Sequence, residues 1–129
     1  MKKKLALLLL AVMLLAACGQ AAKNQQEAVY LNITAEEAKK IMDSEEGYVI
    51  LDVRTREEYD QGNIPGAILI PNTEIAARAE DELTDKSQLI LVYCRSGRRS
   101  KLAAEELVAL GYTNIREFGG IIDWPYEVE

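Results

Sequence analysis

Cys94 is followed within six residues by Arg95, Arg98 and Arg99, with Ser96, Gly97 and Ser100 interspersed. A cysteine attacks as its thiolate, and cationic neighbours favour thiolate over thiol. The run Leu89-Ile90-Leu91-Val92-Tyr93 that leads to Cys94 is apolar and predicts a buried strand. A helical pattern then runs from Lys101 to Leu110 and stops at Gly111. Cys94 therefore stands at the carboxyl end of a strand, where open α/β sheets place their ligands. The turn after it feeds backbone N–H groups into a helix N-terminus, which attracts anions through its dipole and its unpaired donors. A lone cysteine ending an apolar strand is more often a small buried hydrophobe, and arginines more often form a solvated surface. Their concentration at one strand-to-helix turn with a glycine points instead to a reactive thiol in an anion-binding loop. Gly97 permits the sharp backbone geometry that such a loop needs. Ser96 and Ser100 can donate from their hydroxyls; for Ser100, capping of the helix accounts for the residue equally well.

A sheet must hold that loop. Val29 to Ile33 reads as a first strand, and Thr34-Ala35-Glu36-Glu37 as a capping box opening a helix to about Asp43. Tyr48-Val49-Ile50-Leu51-Asp52 is continuously apolar up to its last residue and predicts a central strand. Thr55-Arg56-Glu57-Glu58 is a second capping box, opening a helix of one to two turns that ends near Gly62. Pro65-Gly66 turns into a third strand, Ala67 to Ile70, stopped by Pro71, and Asn72 caps a helix through Ile75 to Leu83. After the Cys94 strand and its helix, Asn114 to Phe118 forms a fifth strand, and Gly119-Gly120 leads to a turn at Trp124-Pro125. The alternation of strand and helix predicts an α/β fold with a parallel five-stranded sheet and helices on both faces. In a parallel sheet, Asp52 ends its strand on the same edge as Cys94. Asp52 and Arg54 are then residues that position an arginine of the loop, or that make turn contacts, rather than catalytic ones.

Composition narrows the chemistry. The 129 residues suit one domain. There is no histidine, which excludes a His-assisted cysteine protease or a Cys/His zinc site within this chain; no metal and no cofactor is expected. Lys2-Lys3-Lys4 followed by the apolar stretch Leu5 to Leu15 reads as a signal segment, too short to span a bilayer comfortably. Removing residues 1–17 takes away three lysines and no acid, so the net charge moves from −6 to −9. So acidic a remainder argues against nucleic acid as a partner. The arginines clustered at Cys94 form a local positive funnel in that acidic surface, suited to small anions. Residues 18–28 are polar and small and read as a tether, leaving 29–129 as the domain.

Several segments also carry resemblances. Leu15-Ala16-Ala17-Cys18 is similar to the lipobox of bacterial lipoproteins, which implies a lipid on Cys18 and a protein anchored to the extracytoplasmic face of a bacterial membrane without spanning it. Cys94-Arg95-Ser96-Gly97-Arg98-Arg99 resembles the active-site loop of the rhodanese family of sulfurtransferases. Leu51-Asp52-Val53-Arg54 with Glu57-Glu58-Tyr59, then Gly62 to Pro71, resembles that family's upstream signature, and Glu117 to Trp124 its closing Gly-Gly-x-x-x-Trp stretch. Asn63 stands where the resemblance leads one to expect histidine. The resemblance implies a rhodanese-like fold and sulfane-sulfur transfer through a Cys94 persulfide, from a small anionic, thiosulfate-like donor to a thiol acceptor, a protein acceptor included. Cys94 and Arg99 are then the catalytic pair, Arg99 closing the loop, and Arg95, Ser96, Gly97, Arg98 and Ser100 bind substrate. Two alternatives stand beside it. One is a cysteine phosphatase or arsenate reductase, for which the loop is one residue short: Ser100 stands where a Cys-x5-Arg spacing needs arginine. The other is a non-enzymatic module that carries sulfur or senses redox state.

Overall fold

The computed structural model describes residues 29–129. The signal segment, Cys18 and the tether lie outside the described residues. Five strands, β1 (Leu31–Asn32), β2 (Val49–Asp52), β3 (Ile68–Leu69), β4 (Ile90–Cys94) and β5 (Ile115–Gly120), form one parallel sheet in the order β1-β5-β4-β2-β3. The helices are α1 (Ala35–Ser44), α2 (Arg56–Gln61), α3 (Ile75–Glu82) and α4 (Arg98–Ala109), with short 3₁₀ turns at Asn72–Glu74 and Ile121–Asp123. The central strand is β4, buried at all five residues. Successive side chains alternate between faces. Ile90, Val92 and Cys94 join Ala79 of α3 and Ala103, Ala104 and Leu107 of α4 in one core layer. Leu91 and Tyr93 join Ala38 and Ile41 of α1, Phe118 and Trp124 in the other. The sheet is thus covered on both faces, as the alternation of elements predicts.

The differences from the sequence reading concern element ends. The outer strands β1 and β3 are each two residues long, shorter than the predicted 29–33 and 67–70. As edge strands they pair on one side only, which leaves less of the chain held in the ladder. Asn72 does not cap α3: it starts a 3₁₀ turn, and α3 begins at Ile75 with no side-chain cap. At Thr34 half of the expected capping box is present, its hydroxyl accepting from the Glu37 amide at 3.1 Å. At Thr55 both halves are present. The helix after Cys94 begins at Arg98, three residues earlier than its hydrophobic pattern indicates, because Gly97 takes a left-handed backbone (φ 103°) and ends the loop there. Arg98 and Arg99 therefore belong to the first helical turn.

Beside the loop, β4 and β5 fall out of step. Val92 pairs with Glu117 and Cys94 with Gly120, so one residue of β4, Tyr93, stands opposite two of β5, Phe118 and Gly119. Such a bulge bends the strand and re-aims the residues beyond it. Here it swings Gly119-Gly120 under the Cys94 loop, and the Ile122 amide donates to the Arg95 carbonyl at 3.2 Å.

Candidate active site

Cys94 is a free, buried thiol. The Gly97 amide donates to its Sγ at 3.0 Å, and the Ser100 hydroxyl lies 3.4 Å from the same atom. Burial pushes the thiol up. Hydrogen bonding from the Ser100 side chain and the Ser100, Gly97 and Ser96 amides outweighs it, so the thiol sits below its ordinary value. Consecutive amides around one acceptor form an anion nest at the start of a twelve-residue helix.

Ser100 is fully buried and lies inside α4, so capping the helix is not its role. Its hydroxyl contacts the Gly97 carbonyl at 3.0 Å and Glu117 Oε1 at 2.7 Å. Glu117 also accepts from the Gly119 amide at 2.8 Å, and Lys101 Nζ stands 3.7 Å from its other oxygen. Glu117 is not among the residues that the sequence places at the site. A strand signal does assign it: β5 alternates, and Ile115 and Glu117 share the face of α4.

The arginines divide. Arg95 and Arg98 are exposed at the mouth of the loop, as is Ser96. Arg95 also lines a cavity of about 300 Å³ with Arg54, Glu58, Gln61, Gly62, Ile121, Ile122 and Val128. Arg99 is turned to α2, where its guanidinium makes a bidentate pair with Glu58 at 2.6 and 2.9 Å. Arg99, expected to close the loop, is engaged here by Glu58, and that pair first, with the nearby Cys94 charge adding to it, raises its guanidinium pKa. The Arg99 hydrogen bonds hold the Glu58 carboxyl down at about 2. Because that value lies below the ordinary 4.5, the pair's contribution is fully present above about pH 4.5 and lost as pH falls towards 2.

Asp52 and Arg54 meet each other rather than an arginine of the loop. Arg54 donates from its amide, Nε and Nη2 to the Asp52 carboxylate, the shortest contact being 2.7 Å. The Tyr93 hydroxyl donates to Asp52 Oδ2 at 2.6 Å and accepts from the Ile64 amide at 3.0 Å. Arg54 reaches on to the Gly62 carbonyl at 2.7 Å. This knot ties β2 and β4 to the 62–64 segment. Asp52 is 0% and Arg54 5% exposed. Removing one member of so buried a pair strands the other, at a cost of about 3–5 kcal/mol. Asp52→Ala should lower stability by that amount in urea denaturation; a loss below about 1 kcal/mol would show that water reaches Arg54. Asn63 donates from Nδ2 to the Tyr59 carbonyl at 3.2 Å, at the end of α2.

Trp124 packs against Phe118 and Tyr126 on the α1 face, across the sheet from Cys94. Gly120 touches the loop itself. A Cβ there would lie 2.0 Å from the Arg95 carbonyl oxygen and 2.5 Å from Ser96 Cα.

YrkF of Bacillus subtilis, named as a sulfur carrier protein, is 39% identical over 98 residues, which are 75% of this chain and 52% of YrkF. The thiosulfate sulfurtransferase PspE of Escherichia coli is 41% identical over 73 residues, 57% of this chain and 70% of PspE. This chain thus spans about half the length of YrkF and a larger share of PspE. The solved structure of a rhodanese with anions from E. coli matches with a TM-score of 0.60 at 36% identity, covering 64% of this chain and 96% of that one. A family model described as the rhodanese-like domain matches residues 34–125, from the cap of α1 past Trp124, and the chain belongs to the rhodanese-like domain family.

Proposed function

We propose that the protein is a sulfurtransferase that moves a sulfane sulfur from a thiosulfate-like donor to a thiophilic acceptor as a persulfide on Cys94. The observation that carries this reading is the Cys94 sulfur held in a nest of amides, with the Gly97 N–H at 3.0 Å. The Cys94 thiolate attacks the donor's outer sulfur. A new S–S bond forms, the donor's S–S bond breaks, and sulfite departs with the electron pair. An acceptor thiolate then attacks the terminal sulfur of the persulfide and expels the Cys94 thiolate. The two half-reactions predict ping-pong kinetics. The amides that stabilise the thiolate also stabilise an anionic persulfide sulfur in the same nest.

Arg95, exposed at the loop mouth and lining the adjoining cavity with Arg54, recruits the anionic donor, and Arg98 adds to the field from the first turn of α4. Arg95→Ala should raise the KM for thiosulfate about tenfold with little change in kcat, because a charge-assisted hydrogen bond contributes about 1.5–3 kcal/mol and this one binds ground state and transition state alike. An unchanged KM would put the donor elsewhere. The names of PspE and YrkF, and the anions of the E. coli structure, support this class of chemistry. The experiment that tests the reading is a single turnover with thiosulfate and no acceptor: sulfite should appear in one equivalent per Cys94. The phosphatase reading requires an arginine facing the oxyanion, and Arg99 is held by Glu58 instead. Sulfur carriage to a protein partner is a second reading, favoured by the name of YrkF; it shares the persulfide and differs in the acceptor.

We further propose that Cys18 is lipidated and anchors the domain on the extracytoplasmic face of a bacterial membrane, with residues 18–28 as tether, on the strength of Leu15-Ala16-Ala17-Cys18. Wild type should sediment with membranes and Cys18→Ser should lose its lipid. Freely soluble wild type would overturn the proposal.

A further inference from the structure

Ser100 has one hydroxyl hydrogen; the Gly97 and Gly119 carbonyls stand 3.0 and 3.4 Å from its oxygen, and the two acceptors able to carry charge make the stronger claims on it. Glu117 Oε1 lies 2.7 Å from the hydroxyl oxygen, and Cys94 Sγ lies 3.4 Å from it on the other side. When Cys94 is a thiol, its S–H can donate to Ser100 while Ser100 donates to Glu117. When Cys94 is a thiolate, it has no proton to give and itself needs a donor. The Gly97 amide already donates to it, and the Ser100 hydrogen turns to sulfur as a further donor, leaving Glu117 Oε1 the Gly119 amide. In the persulfide the Cys94 sulfur is again uncharged and the hydrogen can return to Glu117.

We propose that Glu117 is a positioning residue that competes with the Cys94 thiolate for the Ser100 hydrogen, and so favours the states in which this sulfur is uncharged, the loaded persulfide among them. The arrangement is built for such competition. Ser100 is fully buried and Glu117 is 2% exposed, so water does not supply a substitute donor. The charged or titratable groups facing Glu117 are Lys101 of α4, 3.7 Å from Oε2, and Cys94 across Ser100; the neighbouring strands pair with it through Asn32 of β1 and Val92 of β4. Lys101 lies on the Oε2 side of the carboxylate and leaves Oε1 to Ser100 and the Gly119 amide. The consequence for the cycle has a definite sign. A Cys94 thiolate that is costlier to form is a poorer leaving group, and sulfur exchange slows as the leaving thiol's pKa rises. Glu117 thereby lengthens the life of the persulfide until a good acceptor arrives. The part concerning the persulfide rests on the sulfurtransferase reading; the part concerning the thiol does not.

The test uses two variants and two readouts. Glu117→Gln keeps the shape and a neutral acceptor but removes the charge. Glu117→Asp keeps the charge but withdraws it from Ser100 by one methylene. Thiol pKa is read from the pH dependence of iodoacetamide alkylation, with matched thermal melts to establish folding. Competition for the hydrogen predicts that both variants lower the Cys94 pKa by about one unit, a tenfold gain in thiolate on the acid limb. Placing Glu117→Gln on a Ser100→Ala background should abolish the shift. Persulfide preloaded from thiosulfate should be discharged by dithiothreitol several-fold faster in Glu117→Gln than in wild type. An unchanged or raised pKa in Glu117→Gln, a shift in Gln without one in Asp, or an equal shift without Ser100 would overturn the proposal, the last two by showing a through-space effect of charge. Failure of any protein to load sulfur would overturn the sulfurtransferase reading instead, and the alkylation arm would still decide the role of Glu117.

Discussion

Gly120→Ala should destabilise the domain by about 3 kcal/mol or more and disorganise the Cys94 loop. The backbone of Gly120 is ordinary extended chain, φ −127° and ψ 152°, so conformation alone does not require glycine. Space does. The added Cβ would meet the Arg95 carbonyl carbon and oxygen at 2.4 and 2.0 Å, and these are backbone atoms that cannot swing aside. Overpacking a rigid site costs typically about 1–3 kcal/mol, and a backbone obstacle puts this case at or beyond the upper end. For a domain of this size each kcal/mol lowers Tm by about 4–8 °C, so the melt should fall by more than about 10 °C. If the chain relieves the clash by moving Arg95 and Ser96, the amide nest opens and thiol alkylation shifts to higher pH. Gly119 provides the control. Its φ of +87° is strained for alanine, yet nothing lies within 4 Å of its would-be Cβ. Gly119→Ala should therefore cost only about 1 kcal/mol. Equal effects at the two positions would refute the close approach of β5 to the loop.

Cys94→Ser should remove sulfur transfer while leaving the fold in place. Serine oxygen is not a nucleophile towards sulfane sulfur at neutral pH and forms no persulfide. Loss of a nucleophile in a hydrolase costs on the order of 10⁶ in kcat, and here the turnover should fall to the background between donor and acceptor alone. The structural cost is small because the new hydroxyl inherits partners: the Gly97 amide as donor and Ser100 beside it. A buried hydroxyl so satisfied should change stability by no more than about 1 kcal/mol. The combination of a lost reaction and an unchanged melt separates a chemical role for Cys94 from the role of a small core residue. Transfer persisting in the serine variant would end the mechanism.

Much of this site is legible in the chain itself. The strand ending at Cys94 announces itself by an unbroken apolar run, and Thr55 with Glu58 by a capping box that is present in full. Those signals are local: each depends on residues a few positions apart. The hidden part depends on contacts between residues distant in sequence. Glu58 serves both as the capping partner of Thr55 and as the clamp on Arg99, and only the first role has a local signature. The sequence places Arg99 at the close of the loop, and nothing local tells that the helix starts as early as Arg98 and that this side chain pairs with Glu58 of α2. Tyr93 looks like one more apolar strand residue, yet its hydroxyl joins Asp52 to the Ile64 amide. Strand alternation puts Glu117 on the α4 face, but nothing local tells that its carboxylate meets the Ser100 hydroxyl. Asp52 and Arg54 read as residues that position the loop; they pair with each other because only Val53 separates them on a turn that leaves β2.

A persulfide mechanism requires one sulfur atom to reside on Cys94 between donor and acceptor. Intact-mass spectrometry of the purified domain after brief exposure to thiosulfate, followed by peptide mapping under non-reducing conditions, tests it most directly. A Cys94 persulfide predicts a gain of one sulfur atom, located on the peptide containing Cys94, removed by a thiol acceptor and absent in Cys94→Ser. An unmodified mass in a folded protein whose thiol alkylates readily would contradict it.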